Sequence, residues 1–488
     1  MVKNNSILYR ILLVAIAVLA IALRLYRVNA PLADWHSWRQ ADTAAVARNF
    51  LATGIDPLHP RYDDLSNIQS GKDNPEGWRM VEFPMYQIVG AGISHAVPGI
   101  PIEVSLRLIA IAASVGSVIL LGLLVTRFID PQTGLFSAFM YAILPYSIYY
   151  GRTILPDTFM VFWALLSLYC LTKMGTHAYP WLIAASAAAA IALLVKPMAL
   201  FLLFPSWYIL YRTTGLSKRF FLFSILYLLI GGLPVLWWRH WILQYPEGIA
   251  VSDWLLNKGN IRFKGAWFYW LFAKRLAELI LGYWGLIPFG IGLVAARKKL
   301  EGWFSYIWLL GGIAYFAVFA AGNVQHDYYQ ILVIPLVALF VAKGFALFIR
   351  EKIALNPMQS IPFSLCTLLL LLAFSWYTVR TYYWINRPDI IKAGESADTL
   401  LPKNAKVIAP YNGDTTFLYQ TKRKGWPIGF DIDKKIQMGA QYYVTVSPHD
   451  SDTETRDLVK KYTVLVRNDT YAIIDLTKEQ HQATKTSQ

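Results

Sequence analysis

The sequence has few cysteines and few charged residues. Its two cysteines, Cys170 and Cys366, both lie inside apolar runs, so neither a disulfide framework nor a thiolate metal site is expected. Charged residues make up 15% of the chain, whereas a soluble domain has about 25%. Hydrophobic residues make up 56% of the 488 residues and occur in long runs. The composition therefore predicts an α-helical polytopic membrane protein and excludes a single large soluble core.

The formal net charge of +15 by itself could indicate a nucleic-acid partner. However, the lysines and arginines lie mainly at the ends of apolar runs, where they act as topology signals. We therefore expect the lipid bilayer, and no nucleic acid, as a partner. The sequence also contains no Walker-type phosphate loop and no GxGxxG motif beside a strand–helix unit, which argues against ATP-driven transport.

About eleven apolar runs are candidate membrane spans. The first begins near Lys3 and Arg10 like a signal peptide, but we interpret it as a retained span because many more follow. With the N-terminus in the cytoplasm, the basic clusters fall on inside loops, as the positive-inside rule expects. The candidate spans are 7–25, 105–127, 134–150, 158–174, 180–195, 197–212, 220–237, 278–296, 303–321, 328–348 and 361–378.

The first outside loop, about 26–104, contains the stretch DWHSWRQADTAAVARNF at 34–50. Asp34 is expected to cap a helix here, because its carboxylate can accept from an otherwise unpaired N–H of the first turn. Tryptophans beside polar side chains suit a helix in the membrane interface. The helix is then either a simple anchor or, through Arg39 and Asp42 one turn apart, the edge of an active site. The run Phe83–Val97 is interpreted as a second interfacial or re-entrant helix.

From Val379 the composition changes to that of a small soluble α/β domain, 379–478, which an odd number of spans places outside. The tail 479–488 is polar and is expected to be disordered. A helix is predicted near Asp452–Lys461. Strands are predicted at Lys406–Ala409, Phe417–Gln420, Tyr442–Val446, Tyr462–Val466 and Tyr471–Ile474.

Acidic and basic side chains from separate segments are expected on the outside face, and ionisable groups near membrane depth usually mark a pathway or a site. Asp157 also suits a simpler role as the N-cap of the helix after it. Asp42 lies on a tryptophan-bearing face and needs a partner, such as Arg39 or a substrate. Tyr328 and Tyr329 are equally well explained as interface aromatics.

These motifs resemble the C-type glycosyltransferase superfamily, in particular glycosyltransferase family 39. That branch contains the dolichyl-phosphate-mannose protein mannosyltransferases and the lipid A aminoarabinose transferases. The resemblance rests on HSWRQADTAAVARNF, EFPMYQ, RTILPDTFMVF, LLVKP and HDYYQILVIP, in this order. Asp157 matches an acid of the family's second outside loop. Arg39-Gln40 stand where the family has an acidic pair, and Glu82 stands where the aminoarabinose transferases have Lys.

The resemblance implies transfer of a monosaccharide from a polyprenyl-phosphate donor to a hydroxyl acceptor, usually with inversion, at the outer face of the plasma membrane. The acceptor is a glycan, a lipid or a protein. No cofactor is required by the sequence, no metal ligand set is predicted, and a divalent cation beside the acids stays open. The predicted catalytic residues are Asp42 and Asp157; the phosphate ligands Arg39, Lys196, His326 and Arg152; and the substrate contacts His36, Glu82, Tyr328, Tyr329 and Asp34.

Two other functions stay open from the sequence. A transporter or flippase of a lipid-linked sugar needs the same groove and the same cations but no base. Its site is expected at the bilayer midplane between repeats, whereas the ionisable groups here are predicted on one side and no internal repeat is visible. A noncatalytic membrane subunit would tolerate substitution of Asp42 and Asp157.

Overall fold

The computed structural model describes residues 6–299, 301–350 and 357–480, and these residues are mostly α-helical. They divide into two compact units. The helical unit contains the described residues of Met1–Val28, Val104–Trp241 and Ser252–Tyr383. The mixed unit contains those of Asn29–Glu103, Ile242–Val251 and Trp384–Gln488.

The helices follow one another along the chain with short breaks, and many begin or end at a proline or a glycine. The α-helices are α1 (Ser6–Arg24), α2 (Ser37–Thr53), α3 (Met85–Ala96), α4 (Ile102–Phe128), α5 (Pro131–Ile143), α6 (Pro145–Tyr150), α7 (Pro156–Thr172), α8 (Ala178–Val195), α9 (Ala199–Leu202), α10 (Pro205–Thr214), α11 (Lys218–Trp241), α12 (Trp254–Asn257), α13 (Gly265–Phe268), α14 (Leu286–Val294), α15 (Phe304–Val318), α16 (Ala320–Gln325), α17 (Ile334–Arg350), α18 (Pro357–Val379), α19 (Pro388–Leu400), α20 (Thr415–Gln420), α21 (Ile432–Gln437) and α22 (Thr453–Lys461).

The helical unit also contains tighter and wider turns of helix. A π-helix covers Tyr269–Ile280, and 3-10 turns cover Lys258–Phe263, Asp327–Val333 and Arg380–Tyr383. Two further 3-10 turns, Ile242–Gln244 and Pro246–Gly248, belong to the mixed unit.

Among the described residues, six helical stretches are long and apolar enough to cross a membrane. α1 and α11 expose large aliphatic side chains such as Val14, Val18, Leu233 and Leu236, which suits contact with lipid. The prediction of a helical membrane protein is therefore confirmed. The stretches are Ile7–Arg24, Ile102–Phe128, Ala178–Val195, Lys218–Gln244, Asp327–Ile349 and Met358–Leu400.

Several of the eleven predicted spans contain a break in the structure, so their number stays a prediction. The run 134–150 is divided at Leu144, because Pro145 has no backbone N–H to continue α5 and instead begins α6. The run 278–296 is divided between the π-helix and α14, where Gly282 and Tyr283 both have positive φ angles. α7 and α15 are apolar but have only 17 and 15 residues.

Small residues allow close packing between helices of the helical unit. A Cβ atom added to Gly292 of α14 would overlap the carbonyl of Phe340 in α17, and one added to Gly344 of α17 would overlap the carbonyl of Pro288. Glycine at both positions therefore lets the two backbones touch, as is common between helices in membranes.

The mixed unit contains a five-stranded sheet in the order β2-β1-β3-β5-β4. β1 pairs in parallel with β2 and β3, whereas β5 pairs antiparallel with β3 and β4. Its core lies between the sheet and helices α19, α20 and α22. The strands are β1 (Lys406–Ile408), β2 (Lys424–Trp426), β3 (Ala440–Thr445), β4 (Tyr462–Arg467) and β5 (Ala472–Glu479).

The predicted C-terminal α/β segment is thus present, with one predicted element wrong. Phe417–Gln420 was expected to be a strand, but it belongs to α20, because the Asp414 carboxylate accepts from the Thr416 N–H (2.7 Å) and caps a helix. Of the predicted disordered tail 479–488, the start is wrong because Glu479 belongs to β5, and residues 481–488 lie outside the described residues. The mixed unit also joins the first loop to the C-terminal segment, which the sequence analysis treated as separate domains.

Helix α2 differs from the predicted interfacial helix in two respects. It begins at Ser37, after His36 in a left-handed conformation, so the prediction that Asp34 is the N-cap is wrong. Every residue from Arg39 to Ala47 is buried, and α2 packs against α3 and α20. An anchor would leave one face available to lipid, so α2 is a core helix of the mixed unit. α3 shows that the second predicted segment is helical, and its interfacial or re-entrant placement stays a prediction.

Candidate active site

In the helical unit, Lys196 forms an ion pair with Asp157. Pro197 favours an extended conformation for the residue before it, so α8 ends at Val195 and the Lys196 side chain leaves the helix. The Lys196 Nζ donates to both carboxylate oxygens of Asp157 at 2.8 Å. The two side chains are 12% and 5% exposed, so the pair is sheltered and the lysine side chain keeps some accessible surface.

Asp157 lies in the first turn of α7, which begins at Pro156. The N-cap residue is Leu155, so the alternative role of Asp157 as the cap is wrong. A carboxylate in the first turn is still stabilised by the positive end of the helix dipole. The local sequence therefore supplies a fixed anion, and Lys196 supplies the cation beside it.

Aromatic side chains surround the ammonium of Lys196. Its Nζ lies 5.4 Å from the ring centroid of Tyr328 and 5.5 Å from that of Tyr329. His326 stacks on Tyr328 with a centroid distance of 5.4 Å. The structure therefore brings together Asp157, Lys196, His326, Tyr328 and Tyr329, which the sequence analysis had proposed from separate segments.

Asp327, between these predicted residues, was not singled out as a site residue from the sequence. It is buried, and its carboxylate accepts from the hydroxyls of Tyr150 (2.6 Å) and Tyr382. The Tyr146 hydroxyl donates to the Asp327 backbone carbonyl at 2.6 Å. Asp327 thus fixes the position of the turn that carries Tyr328. The sequence did contain a signal for Asp327, because it is an acid inside a tyrosine-rich motif at the end of an apolar run.

Arg152, a predicted phosphate ligand, is buried in the helical unit. Its guanidinium lies against the rings of Tyr149 and Tyr383, 5.2 and 4.8 Å from their centroids. These contacts explain how a cation is accommodated there. Its role as a phosphate ligand stays a prediction.

In the mixed unit, Asp42 is held by several partners. Arg79 approaches its carboxylate to 2.9 Å, Gln69 donates to it at 3.1 Å, and the Thr415 hydroxyl donates at 2.7 Å. The side chain of Asp42 is 0% exposed. The expectation that Arg39 is the partner of Asp42 is wrong, because Arg79 has this place. Neither Arg79 nor Thr415 was identified from the sequence, since both are distant from Asp42 along the chain.

Arg39 instead pairs with Glu82. One guanidinium nitrogen donates to both carboxylate oxygens at 2.9 and 2.8 Å, and Gln87 donates to the same carboxylate at 3.2 Å. Asp34 accepts from the Gln40 amide at 2.8 Å, and His36 is half-buried beside Trp35. Arg39, Glu82 and Asp34 are buried, so their predicted roles with phosphate or substrate stay predictions.

A second acid lies near Asp42 in the mixed unit. Burial raises the pKa of Asp64 to about 7, and the charge of Asp42 adds to this effect. Its carboxylate still accepts from the backbone N–H of Ser66 at 2.8 Å, which partly opposes the shift. Asp64 therefore changes charge near neutral pH inside a well-packed region.

The described residues contain no group of three or more His, Cys, Asp or Glu side chains arranged to hold a metal ion. Asp157 has a lysine as its partner and Asp42 has an arginine, so each carboxylate is already neutralised by a cation of the chain. A divalent cation beside either acid stays a prediction from the sequence.

Comparisons with known proteins relate the chain to membrane glycosyltransferases. The family model for dolichyl-phosphate-mannose-protein mannosyltransferase matches residues 91–238. A comparison with curated protein sequences found no significant match.

The similar solved structures cover nearly the whole chain. ArnT from Cupriavidus metallidurans bound to undecaprenyl phosphate is 16% identical, with a TM-score of 0.65 over 96% of this chain and 98% of that one. The oligosaccharyltransferase AglB from Archaeoglobus fulgidus, in complex with an inhibitory peptide and a dolichol-phosphate, is 10% identical, with a TM-score of 0.57 over 90% and 69%. The arabinofuranosyltransferase AftD from Mycobacteria is 14% identical, with a TM-score of 0.54 over 95% and 41%. The resemblance inferred from the sequence is therefore confirmed, and this chain is a membrane protein with the fold of the C-type glycosyltransferases, similar to family 39.

Proposed function

We propose that the protein transfers a monosaccharide from a polyprenyl-phosphate carrier to a hydroxyl acceptor. The observation that carries this proposal is the pair of Asp157 and Lys196, an acid and a cation 2.8 Å apart in the helical unit. Transfer of this kind needs both groups close together. The match in fold to ArnT with bound undecaprenyl phosphate supports a carrier of this class.

The chemistry divides between the two side chains. The acceptor hydroxyl oxygen attacks the anomeric carbon, and Asp157 takes the hydroxyl proton as general base. The bond between that carbon and the phosphate oxygen breaks, and the lipid phosphate leaves with the electron pair. Lys196 stabilises the charge that develops on the phosphate, and a direct displacement of this kind inverts the configuration.

Tyr328, Tyr329 and His326 complete the proposed donor site. The two tyrosine rings limit water around the Lys196 ammonium, which strengthens its attraction for an anion. His326, stacked on Tyr328, is proposed as a further phosphate contact. Arg152 is kept as a candidate for the same role.

Of the two predicted catalytic acids, we assign the base to Asp157 and keep Asp42 as the second candidate. Asp42 has no exposed surface and three partners, so it can take a proton only after a rearrangement. Arg39 with Glu82, and His36 with Asp34, are kept as secondary candidates for substrate contacts. We further propose that the reaction occurs on the extracytoplasmic side of a plasma membrane.

The proposal is tested with purified protein, a radiolabelled polyprenyl-phosphate sugar and a mixture of hydroxyl acceptors. We expect release of polyprenyl phosphate that depends on an acceptor, and transfer of the label. Lys196→Met should reduce the rate strongly, whereas Lys173→Met, a lysine at the end of α7, should not.

A flippase would move the labelled lipid between the leaflets of a vesicle without cleaving it. Intact donor after long incubation with every acceptor, together with movement across the bilayer, would overturn the proposal. Retention of configuration in the product would overturn the direct displacement.

A further inference from the structure

The mixed unit contains a cleft of about 520 Å³ that has no role in the proposed transfer. Small-molecule sites usually have volumes of about 300–1,000 Å³, so the cleft is large enough for a mono- or disaccharide. It is formed by the end of α2, the loop after it, a segment following α11 and the start of β2. The residues that carry the inference are His59, Arg61, Trp78, Tyr245 and Lys424.

Aromatic rings line part of this cleft. Trp78 and Tyr245 are half-buried, with centroids 5.3 Å apart and planes inclined by 59°. His59 Nε2 lies 2.8 Å from the Tyr245 hydroxyl, which fixes that ring. Rigid aromatic surfaces with polar groups at their edges are suited to the apolar C–H face of a sugar ring and to its hydroxyls.

Lys424 brings a positive charge to the cleft without a close counter-charge. Within the part of the chain that the structure describes, no carboxylate forms an ion pair with its half-buried ammonium. Burial lowers the pKa of Lys424, the nearby charge of Asp63 opposes this, and the charge of Arg61 lowers it further. A bound anion would offset both the cost of burying the Lys424 ammonium and its repulsion by Arg61.

The other charged groups in and near the cleft have partners within the chain, and the pair formed by Arg61 is a solvent-exposed one. Asp56 lies 2.8 Å from His59 Nδ1, and Asp63, near the cleft, pairs with Arg48. Arg61 lies over Trp78, 4.3 Å from the ring centroid, and pairs with Glu76 at the surface at 3.1 Å. Two cationic residues, Arg61 and Lys424, and one acid, Asp56, line the cleft, so its lining has an excess of positive charge.

We propose that this cleft binds a saccharide that carries a carboxylate or a phosphate. Its ring packs against Trp78 and Tyr245, and its anionic group is held by Lys424 and Arg61. The inference concerns binding alone, so it does not depend on the transfer reaction. A uronic acid and a sugar phosphate share this chemistry, and the experiment separates them.

The experiment is calorimetric titration of the purified full-length protein in detergent with glucuronic acid, glucose 6-phosphate, glucose and inorganic phosphate. We expect at least one of the two anionic sugars to bind at least about tenfold more tightly than glucose, because charge-assisted hydrogen bonds are the strong ones. The anionic sugar that binds more tightly shows whether the cleft prefers a carboxylate or a phosphate. Equal binding of glucose, or inorganic phosphate binding as tightly as the sugar phosphate, would overturn the proposal.

Variants then locate the site. Lys424→Met should weaken binding of the anionic sugar by about tenfold or more and leave binding of glucose unchanged. Lys422→Met is the matched control, since Lys422 is exposed and pairs with Asp398 at 2.9 Å. Equal affinity of Lys424→Met and the unchanged protein would overturn the proposal. If Lys424→Met fails to fold, Tyr245→Leu must weaken binding of the preferred sugar, and unchanged affinity would contradict the aromatic contact.

Discussion

Two buried carboxylates, each paired with a cation, differ in how completely they are held. Asp157 in the helical unit has a single flexible lysine on its two oxygens, and tyrosine rings face that lysine. Asp42 in the mixed unit is held by Arg79, Gln69 and Thr415 and has no exposed surface.

This difference indicates that the two acids have different roles. A lysine on a flexible stem can exchange a carboxylate for a phosphate, because its ammonium behaves as a mobile point charge. A carboxylate with several fixed donors gains little binding free energy from a substrate. Removal of one of those donors strongly destabilises the folded protein. We therefore expect Asp157 to control the reaction and Asp42 to control the stability of the mixed unit.

The largest expected effect is on transfer. Asp157→Asn should lower the rate by about 10²–10⁴-fold, the range that a general base contributes, while the protein stays folded. Asp42→Asn should change the rate of the remaining folded protein by less than about tenfold, because we assign the base to Asp157. The measurement is initial transfer rate per folded molecule, with the fold monitored by gel filtration in detergent.

The reverse result would contradict these roles for Asp157 and Asp42. If Asp42→Asn loses orders of magnitude in rate at unchanged stability, Asp42 is the base and its contacts must open during the reaction. If both variants lose activity equally, the assignment of the base to Asp157 alone is wrong.

The next effect is on stability. Arg79→Gln leaves the Asp42 carboxylate buried without its cation, which should cost about 3–5 kcal/mol in the free energy of unfolding. Lys434→Ala is the matched control: it removes an exposed ion pair with Asp73 (2.8 Å) and should leave the free energy of unfolding nearly unchanged. Denaturant titration of the full-length protein measures both values.

A double-variant cycle sharpens this test. Because Asp42 and Arg79 are in contact, the combined variant Asp42→Asn, Arg79→Gln should be less destabilised than the sum of the two single variants. Simple additivity would show that the ion pair does not stabilise the mixed unit.

A third effect is a dependence of stability on pH. The pKa of Asp64 is raised to about 7, so between about pH 4 and pH 7 the folded state holds a proton that the unfolded chain has lost. This contribution is fully present below about pH 4 and is lost as the pH rises through 7. The expected loss is up to about 4 kcal/mol.

Asp64→Asn should remove this dependence, because the amide does not titrate. The unfolding midpoint is compared at pH 5 and pH 8 for both proteins, and the variant should lose less stability between the two values. An identical loss in both proteins would show that Asp64 is charged throughout this range.

The sequence predicted the elements whose signals are local. Long apolar runs gave the membrane helices, and β-like runs gave β1, β3, β4 and β5, together with helix α22. β2 was missed because Lys424–Trp426 is only three residues long and does not alternate. α20 was mistaken for a strand because its buried residues Phe417, Leu418 and Tyr419 would also suit a strand of a half-buried sheet.

The candidate site was predictable where a side chain has an unusual neighbour in sequence. Lys196 before a proline and Asp157 after one were recognised in this way, and the structure joins them. Arg79 as the partner of Asp42 was not predictable, because the two residues are 37 positions apart and the long loop after α2 lies between them. The merging of the first loop with the C-terminal segment depends on contacts such as Asp42 with Thr415, which leave no pattern along the chain.

The contact between Asp42 and Thr415 also means that the first loop completes its contacts late in biosynthesis. Asp42 and Thr415 are 373 positions apart, so at about 5–20 residues per second the first loop waits roughly 20–75 s for its partner. During this interval its acid lacks one of its donors while the membrane helices are being inserted. The mixed unit therefore completes its fold only after the ribosome has made nearly the whole chain, and a nascent chain stopped before Thr415 would expose the first loop to proteases.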